Sequence, residues 1–91
     1  MIAVRVGEVF NVDLKATPTT GYRWQPVDLP GVRLVDTGFT ADGTTPGQGG
    51  TERFHLRAAE PGRHTLTFEL KRAWETDPVD TRTVEIDVSE A

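Results

Sequence analysis

Apolar and polar residues alternate with a period of two along most of this chain. Phe10, Val12 and Leu14 alternate with Asn11, Asp13 and Lys15. Phe54, Leu56 and Ala58 alternate with Arg53, His55 and Arg57. Leu66, Phe68 and Leu70 alternate with Thr65, Thr67, Glu69 and Lys71, and Val84, Ile86 and Val88 with Glu85, Asp87 and Ser89. Successive side chains of a strand point to opposite faces, so each run reads as a strand with one face in a core and one in water. No run carries the period of an amphipathic helix. Turn residues separate the runs: Pro18 to Gly21, Pro30-Gly31, the glycine-rich stretch Asp42 to Gly50, Pro61-Gly62 and Asp77-Pro78. The pattern predicts strands over 2–6, 8–16, 22–27, 32–41, 52–58, 63–72 and 80–89.

Short strands with a turn about every ten residues predict an all-β fold. The expected architecture is an immunoglobulin-like antiparallel β-sandwich of about seven strands. With no internal repeat and no linker, residues 1–91 read as a single domain. If the chain reverses at every turn, alternate connections fall at the same end of the sandwich. Segments 17–21, 42–51 and 73–79 then share one pole, while the plain Pro-Gly turns lie at the other. Function carried by loops on a rigid scaffold belongs at the first pole.

Composition narrows the chemistry. The net charge is -4 and the pI about 5.0, and the positive charges are scattered, so there is no electrostatic footprint for nucleic acid or an anionic membrane. No segment reads as a membrane span or a signal peptide; the expectation is a cytoplasmic protein, or an exported one whose leader has been removed. There is no cysteine, hence no disulfide and no thiol nucleophile. The one serine, Ser89, ends the last strand. His55 and His64 have opposite parity across their hairpin and point to opposite faces, His64 at the rim of the core. The carboxylates show no metal-loop spacing, and Gly47-Gln48-Gly49-Gly50 lacks the Lys-Ser/Thr and the helix of a phosphate loop. No catalytic residue, metal or cofactor is expected, and the chain does not read as an enzyme.

Three segments remain distinctive, all at the predicted pole. In Thr17-Pro18-Thr19-Thr20-Gly21-Tyr22-Arg23-Trp24, Pro18 fixes its own φ and restricts Thr17, while Thr19 and Thr20 are β-branched and stiff. Gly21 can take a positive φ and turn the chain into the next strand. Alone, this tip is ordinary turn chemistry. Tyr22 and Trp24 share one face by parity and are expected in the core. The glycine-rich segment alone is a surface loop. In Arg72-Ala73-Trp74, Arg72 lies past the core and Trp74 falls in the loop, either as an exposed anchor or folded over the core rim. Arg and Trp are frequent anchors of binding interfaces.

Together these segments resemble the chagasin-like inhibitors of cysteine peptidases, over nearly the whole chain. In that family the first loop reads Asn-Pro-Thr-Thr-Gly-aromatic-x-Trp, and Thr17 stands here in place of Asn. The second reads Gly-x-Gly-Gly, matched by Gly47, Gln48, Gly49 and Gly50. The third reads Arg-Pro-Trp, with Ala73 here in place of Pro. The resemblance implies an immunoglobulin-like fold and reversible, competitive inhibition of a papain-like cysteine peptidase. It implies that loops 17–24, 42–51 and 72–79 enter the cleft, with Thr17, Pro18, Thr19, Thr20, Gly21, Gly47, Gln48, Gly49, Gly50, Arg72, Ala73 and Trp74 in contact. A monomer fits such an exposed pole. Thr17 bonds to its turn backbone more weakly than Asn, and Ala73 leaves the third loop freer than Pro, so retained but weaker or narrower inhibition is expected. Two alternatives stand beside this reading. One is a structural or adhesive immunoglobulin-like domain, and the other is a carbohydrate-binding module using its aromatics.

Overall fold

Alternating runs of this length bury one face only by pairing edge to edge and stacking as layers. A computed structural model, which describes residues 1–16, 21–41 and 49–90, has this form. Its strands are β1 (Ile2–Arg5), β2 (Val9–Ala16), β3 (Arg23–Asp28), β4 (Val32–Ala41), β5 (Gly50–Ala58), β6 (Gly62–Lys71) and β7 (Asp80–Ser89). They form a four-stranded sheet of order β1-β7-β6-β3 and a three-stranded sheet of order β2-β5-β4. Each strand lies within two residues of its expected position. Among the described residues there is no helix, and so none long and apolar enough to cross a membrane.

The inward positions read from the alternation are the ones that pack. Phe10 and Val12 of β2, Phe54, Leu56 and Ala58 of β5, Leu66 and Phe68 of β6, and Ile86 and Val88 of β7 are buried. Leu14, Leu70 and Val84 are partly buried against them. Phe54 and Phe68 meet across the two sheets at 5.0 Å between ring centroids, tilted by 42°, a favourable offset arrangement.

The hairpin expected at Pro61-Gly62 is absent, because β5 and β6 lie in different sheets and put His55 and His64 in separate layers. Two strands also depart from the expected pattern. β1 pairs with β7 in parallel, with Ile2 opposite Ile86, whereas the other strand pairings are antiparallel. The tight turn at Gly7 carries the chain from β1 in one sheet to β2 in the other, so β1 never forms a hairpin with its neighbour in sequence. The second departure is β4, which has strand geometry but leaves Leu34, Val35 and Phe39 between 42% and 53% exposed. It is an edge strand whose register slips between Leu34 and Asp36. β3, one edge of the other sheet, slips between Pro26 and Asp28. Bulges and an edge proline interrupt both ladders, which blunts pairing with another chain. An open cleft of about 270 Å³ lies between these edges, lined by Trp24, Pro26, Phe39 and Glu52 among others.

The pole opposite the glycine-rich loop is closed by a packed histidine. Gly31 adopts φ 73°, and a β-carbon there would collide with the His64 ring. His64, half-buried at the rim as expected, has its Nε2 3.0 Å from the Glu60 carbonyl oxygen. Gly31→Ala therefore adds a side chain where both the backbone angle and the space oppose it. The expected loss exceeds about 1 kcal/mol, read in thermal unfolding as a Tm fall of several degrees, at roughly 4–8 °C per kcal/mol for a domain of this size. Adding His64→Ala should restore part of the loss, because the collision goes while the positive φ remains.

On the outer face of the three-stranded sheet, Arg53 donates from Nε to Asp13 Oδ1 at 2.9 Å and from Nη2 to Oδ2 at 3.0 Å. That hydrogen-bonded guanidinium holds the Asp13 carboxyl below its usual range. Both side chains are nearly half exposed, so solvent screening keeps the stabilisation small. Because the folded value is the lowered one, this contribution is present above the ordinary carboxylate range and is lost as pH falls through the folded value. Arg53→Met should make urea stability less sensitive to acidification over that range, as measured by parallel denaturations at neutral and acid pH.

Candidate functional site

The strand registers gather the ends of the three distinctive segments. In the three-stranded sheet Ala16, which precedes the first loop, and Ala41, which precedes the second, both lie opposite Gly50, which follows the second. In the four-stranded sheet Arg23 lies opposite Lys71, and Leu70 opposite Asp80. The two sets of ends are tied by side chains. Trp24 donates from Nε1 to the Lys15 carbonyl at 2.6 Å, and Arg23 donates from Nε to Glu52 Oε1 at 3.1 Å. The connections β2–β3, β4–β5 and β6–β7 thus leave from one pole, as the counting of reversals expects.

The first and third loops are in contact. Gly21 adopts φ 84°, a conformation suited to glycine. A β-carbon built on it would lie 3.5 Å from Trp74 Cη2 and 3.8 Å from Arg72 Cγ. The Arg72 guanidinium carbon sits 4.4 Å from the centre of the Tyr22 ring and 5.6 Å from that of Trp74. Both distances fall in the cation–π range. Arg72 Nε also faces Glu75 Oε1 at 3.9 Å, and this buried oxygen has no hydrogen-bond partner among the described residues. The Arg72–Glu75 attraction is therefore one of charge rather than of a hydrogen bond.

Tyr22 differs from its expected place. It precedes β3 and lies half-buried beneath Arg72 rather than inside the sandwich. Trp24 is in the core as expected, 6% exposed. Trp74 is 74% exposed, so it stands out from the loop instead of folding over the rim. With one Trp exposed and the other buried, the described residues offer no flat aromatic platform for a sugar.

Ala73 is exposed and sits inside a closed turn, in which Glu75 N–H donates to the Arg72 carbonyl at 3.1 Å. The turn hydrogen bond and the stacked Arg72 hold the loop by means other than the proline that the resemblance leads one to expect. Gly49, at φ 85°, is half-buried, and Gly50 is buried at the start of β5. Thr17, Pro18, Thr19, Thr20, Gly47 and Gln48 lie outside the described residues, as does Asp42 to Pro46.

Sequence reasoning passed over Glu52. This carboxylate is 4% exposed and accepts from the Trp24 backbone N–H at 3.3 Å as well as from Arg23. The signal was present: position 52 has the same parity as Phe54 and Leu56 and therefore faces inward.

Comparison with known proteins bears on this geometry. The pattern of the family described as "Chagasin family peptidase inhibitor I42" matches residues 3–88. Chagasin of Trypanosoma cruzi is 30% identical over 80 residues, covering 80% of this chain and 73% of its own. The chain belongs to the chagasin family of peptidase inhibitors. Family membership makes it an inhibitor rather than an enzyme. The crystal structure of the cysteine protease inhibitor EhICP2 from Entamoeba histolytica shares the fold, with a TM-score of 0.78 at 18% identity, over 97% of this chain and 87% of that one. The solution structure of amebosin does so with a TM-score of 0.71 at 24% identity, over 99% and 87%. The immunoglobulin-like β-sandwich of this family is the fold seen here.

Position i+1 of a hydrogen-bonded turn accepts proline readily. Ala73→Pro should therefore stabilise the protein by about 0.4–1 kcal/mol through the unfolded chain. Thermal unfolding of the variant should show a higher Tm; an unchanged or lower Tm would mean that the turn needs a backbone angle proline lacks.

Proposed function

We propose that this chagasin-family protein is a reversible, competitive inhibitor of papain-like cysteine peptidases, occluding the active-site cleft with loops 17–24, 42–51 and 72–79. The observation that carries the proposal is the exposed Trp74 beside Gly21, because it brings the end of the first loop and the third loop together at the pole. The family's description as peptidase inhibitors and the naming of a structural neighbour as a cysteine protease inhibitor support the target class.

The mechanism follows from what the loops can do chemically. The tip formed by Thr19, Thr20 and Gly21 sits over the catalytic Cys–His pair of the target. Gly47 to Gly50 lie along one wall of the cleft, and Arg72, Ala73 and Trp74 grip the other. Thr17 and Pro18 stiffen the entry to the tip. The chain contributes no nucleophile, and none is needed. A stiff tip that fills the cleft without presenting a peptide bond in attack geometry is not cleaved, because hydrolysis requires a near-attack arrangement. Affinity comes from an exposed aromatic anchor and from low ordering cost. The closed 72–75 turn and the cation stack keep that cost low in the third loop. One copy of the chain is sufficient, since the three loops rise from one sandwich.

Titration of papain with the purified protein, over several concentrations of a small fluorogenic substrate, tests the reading. Competitive inhibition with the inhibitor recovered intact is the expected result. No inhibition of papain or of several relatives would overturn it. Trp74→Ala and Thr20→Arg should each weaken inhibition by about tenfold or more, as for a central anchor of an interface. Thermal unfolding should remain nearly unchanged, because the Trp74 ring packs outside the core.

A further inference from the structure

A carboxylate buried between two sheets is a poor investment in stability, because packed apolar side chains of similar size hold a fold as well or better. Glu52 nevertheless occupies an inward position of β5 between Gly50 and Phe54, with its side chain 5% exposed. Across its own sheet it lies opposite Leu14 on β2 and Phe39 on β4. Its Oε1 leaves that sheet to accept from the Trp24 backbone N–H at 3.3 Å and from Arg23 Nε at 3.1 Å. β3 is an edge strand, and its ladder runs to β6 on one side. Glu52 thus serves as the hydrogen-bonding partner on the side of β3 where no strand lies.

The location gives this bond its consequence. Glu52 is two residues beyond Gly50, where the glycine-rich loop returns to the sandwich. Arg23 and Trp24 are the first residues of β3, immediately after Gly21 and Tyr22. Trp24 is tied in turn to Lys15 at the entry to the same loop, and Tyr22 and Gly21 carry Arg72 and Trp74. One carboxylate therefore joins the roots of the first and second loops across the two sheets, and the third loop rests on the first.

We propose that Glu52 is a positioning residue for inhibition: it fixes the height and separation of the first two loops without touching the target. The proposal rests on the inhibitory reading above, and it has a structural consequence that is measurable in the absence of any peptidase. Removing the acceptor leaves both β-sheets intact but lets the two loop roots move independently. Loops that must be ordered at the moment of binding give a shorter-lived complex, so the loss falls on dissociation more than on association.

Wild type, Glu52→Gln and Glu52→Leu are compared by amide hydrogen exchange and by inhibition kinetics well below Tm. In Glu52→Leu the amides of Gly21, Tyr22, Gly49 and Gly50 should exchange about tenfold faster or more, while those of Leu66, Phe68 and Ile86 stay as in wild type. The inhibition constant should rise by about tenfold or more, carried by the dissociation rate. Glu52→Gln keeps an oxygen acceptor for the Trp24 N–H and should restore both readouts to within about threefold of wild type. Unchanged exchange at the loop roots overturns the proposal. So does a uniform rise that includes Leu66, Phe68 and Ile86, or loss of the fold, since Glu52 would then be a core residue and nothing more. If the wild type inhibits no papain-like peptidase, the functional reading fails, while the exchange comparison still decides whether Glu52 couples the loops.

Discussion

The Trp24 indole connects the core of this protein to the pole from which its three loops leave. The ring is buried between the sheets, and its N–H is given to the Lys15 carbonyl at 2.6 Å. Leaving that buried N–H without a partner would cost about 1–3 kcal/mol, so the bond favours one placement of the end of β2 relative to the start of β3. The loop between them must then leave and re-enter the sandwich at a set separation. Its neighbours inherit that frame: Arg23 and the Trp24 backbone hold Glu52 at the root of the second loop, and Gly21 and Tyr22 seat the third.

Pre-ordered contact residues suit a protein that inhibits by forming a complex. Binding energy in such a complex is lost whenever the inhibitor must be ordered on contact. The described part of the pole limits that loss with short-range devices: a closed turn at 72–75, a guanidinium stacked between Tyr22 and Trp74, and a charge pair to Glu75. These devices also explain how the third loop does without a proline. Proline would narrow the backbone of the unfolded chain, whereas here contacts made in the folded state restrict the loop.

The interior of the sandwich follows from a simple rule, and the edge strand β4 does not. Inner strands β5, β6 and β7 bury the residues that alternation assigns to them, because each has neighbours on both sides and a facing sheet. β4 has the same alternation at Val32 and Leu34 but lies at an edge with a register slip between Leu34 and Asp36; Val32 packs against the core, while Leu34, Val35 and Phe39 are exposed. The parallel pairing of β1 is likewise a property of the assembled sheets. Local alternation is the same for parallel and antiparallel neighbours, so it does not tell them apart.

The sequence by itself determined the seven strands, the inward set of the core, the pole from which three loops leave, and the family to which the chain belongs. These are legible because period-two burial, turn chemistry and loop motifs are written in neighbouring residues. Tertiary structure alone decided that Tyr22 lies under Arg72 instead of in the core, that Trp74 stands exposed, and that Glu52 bridges the roots of two loops. The Tyr22 and Glu52 placements depend on residues far apart in sequence meeting in space. Parity shows which face a side chain takes. Which partner waits there is set by how the two sheets pack.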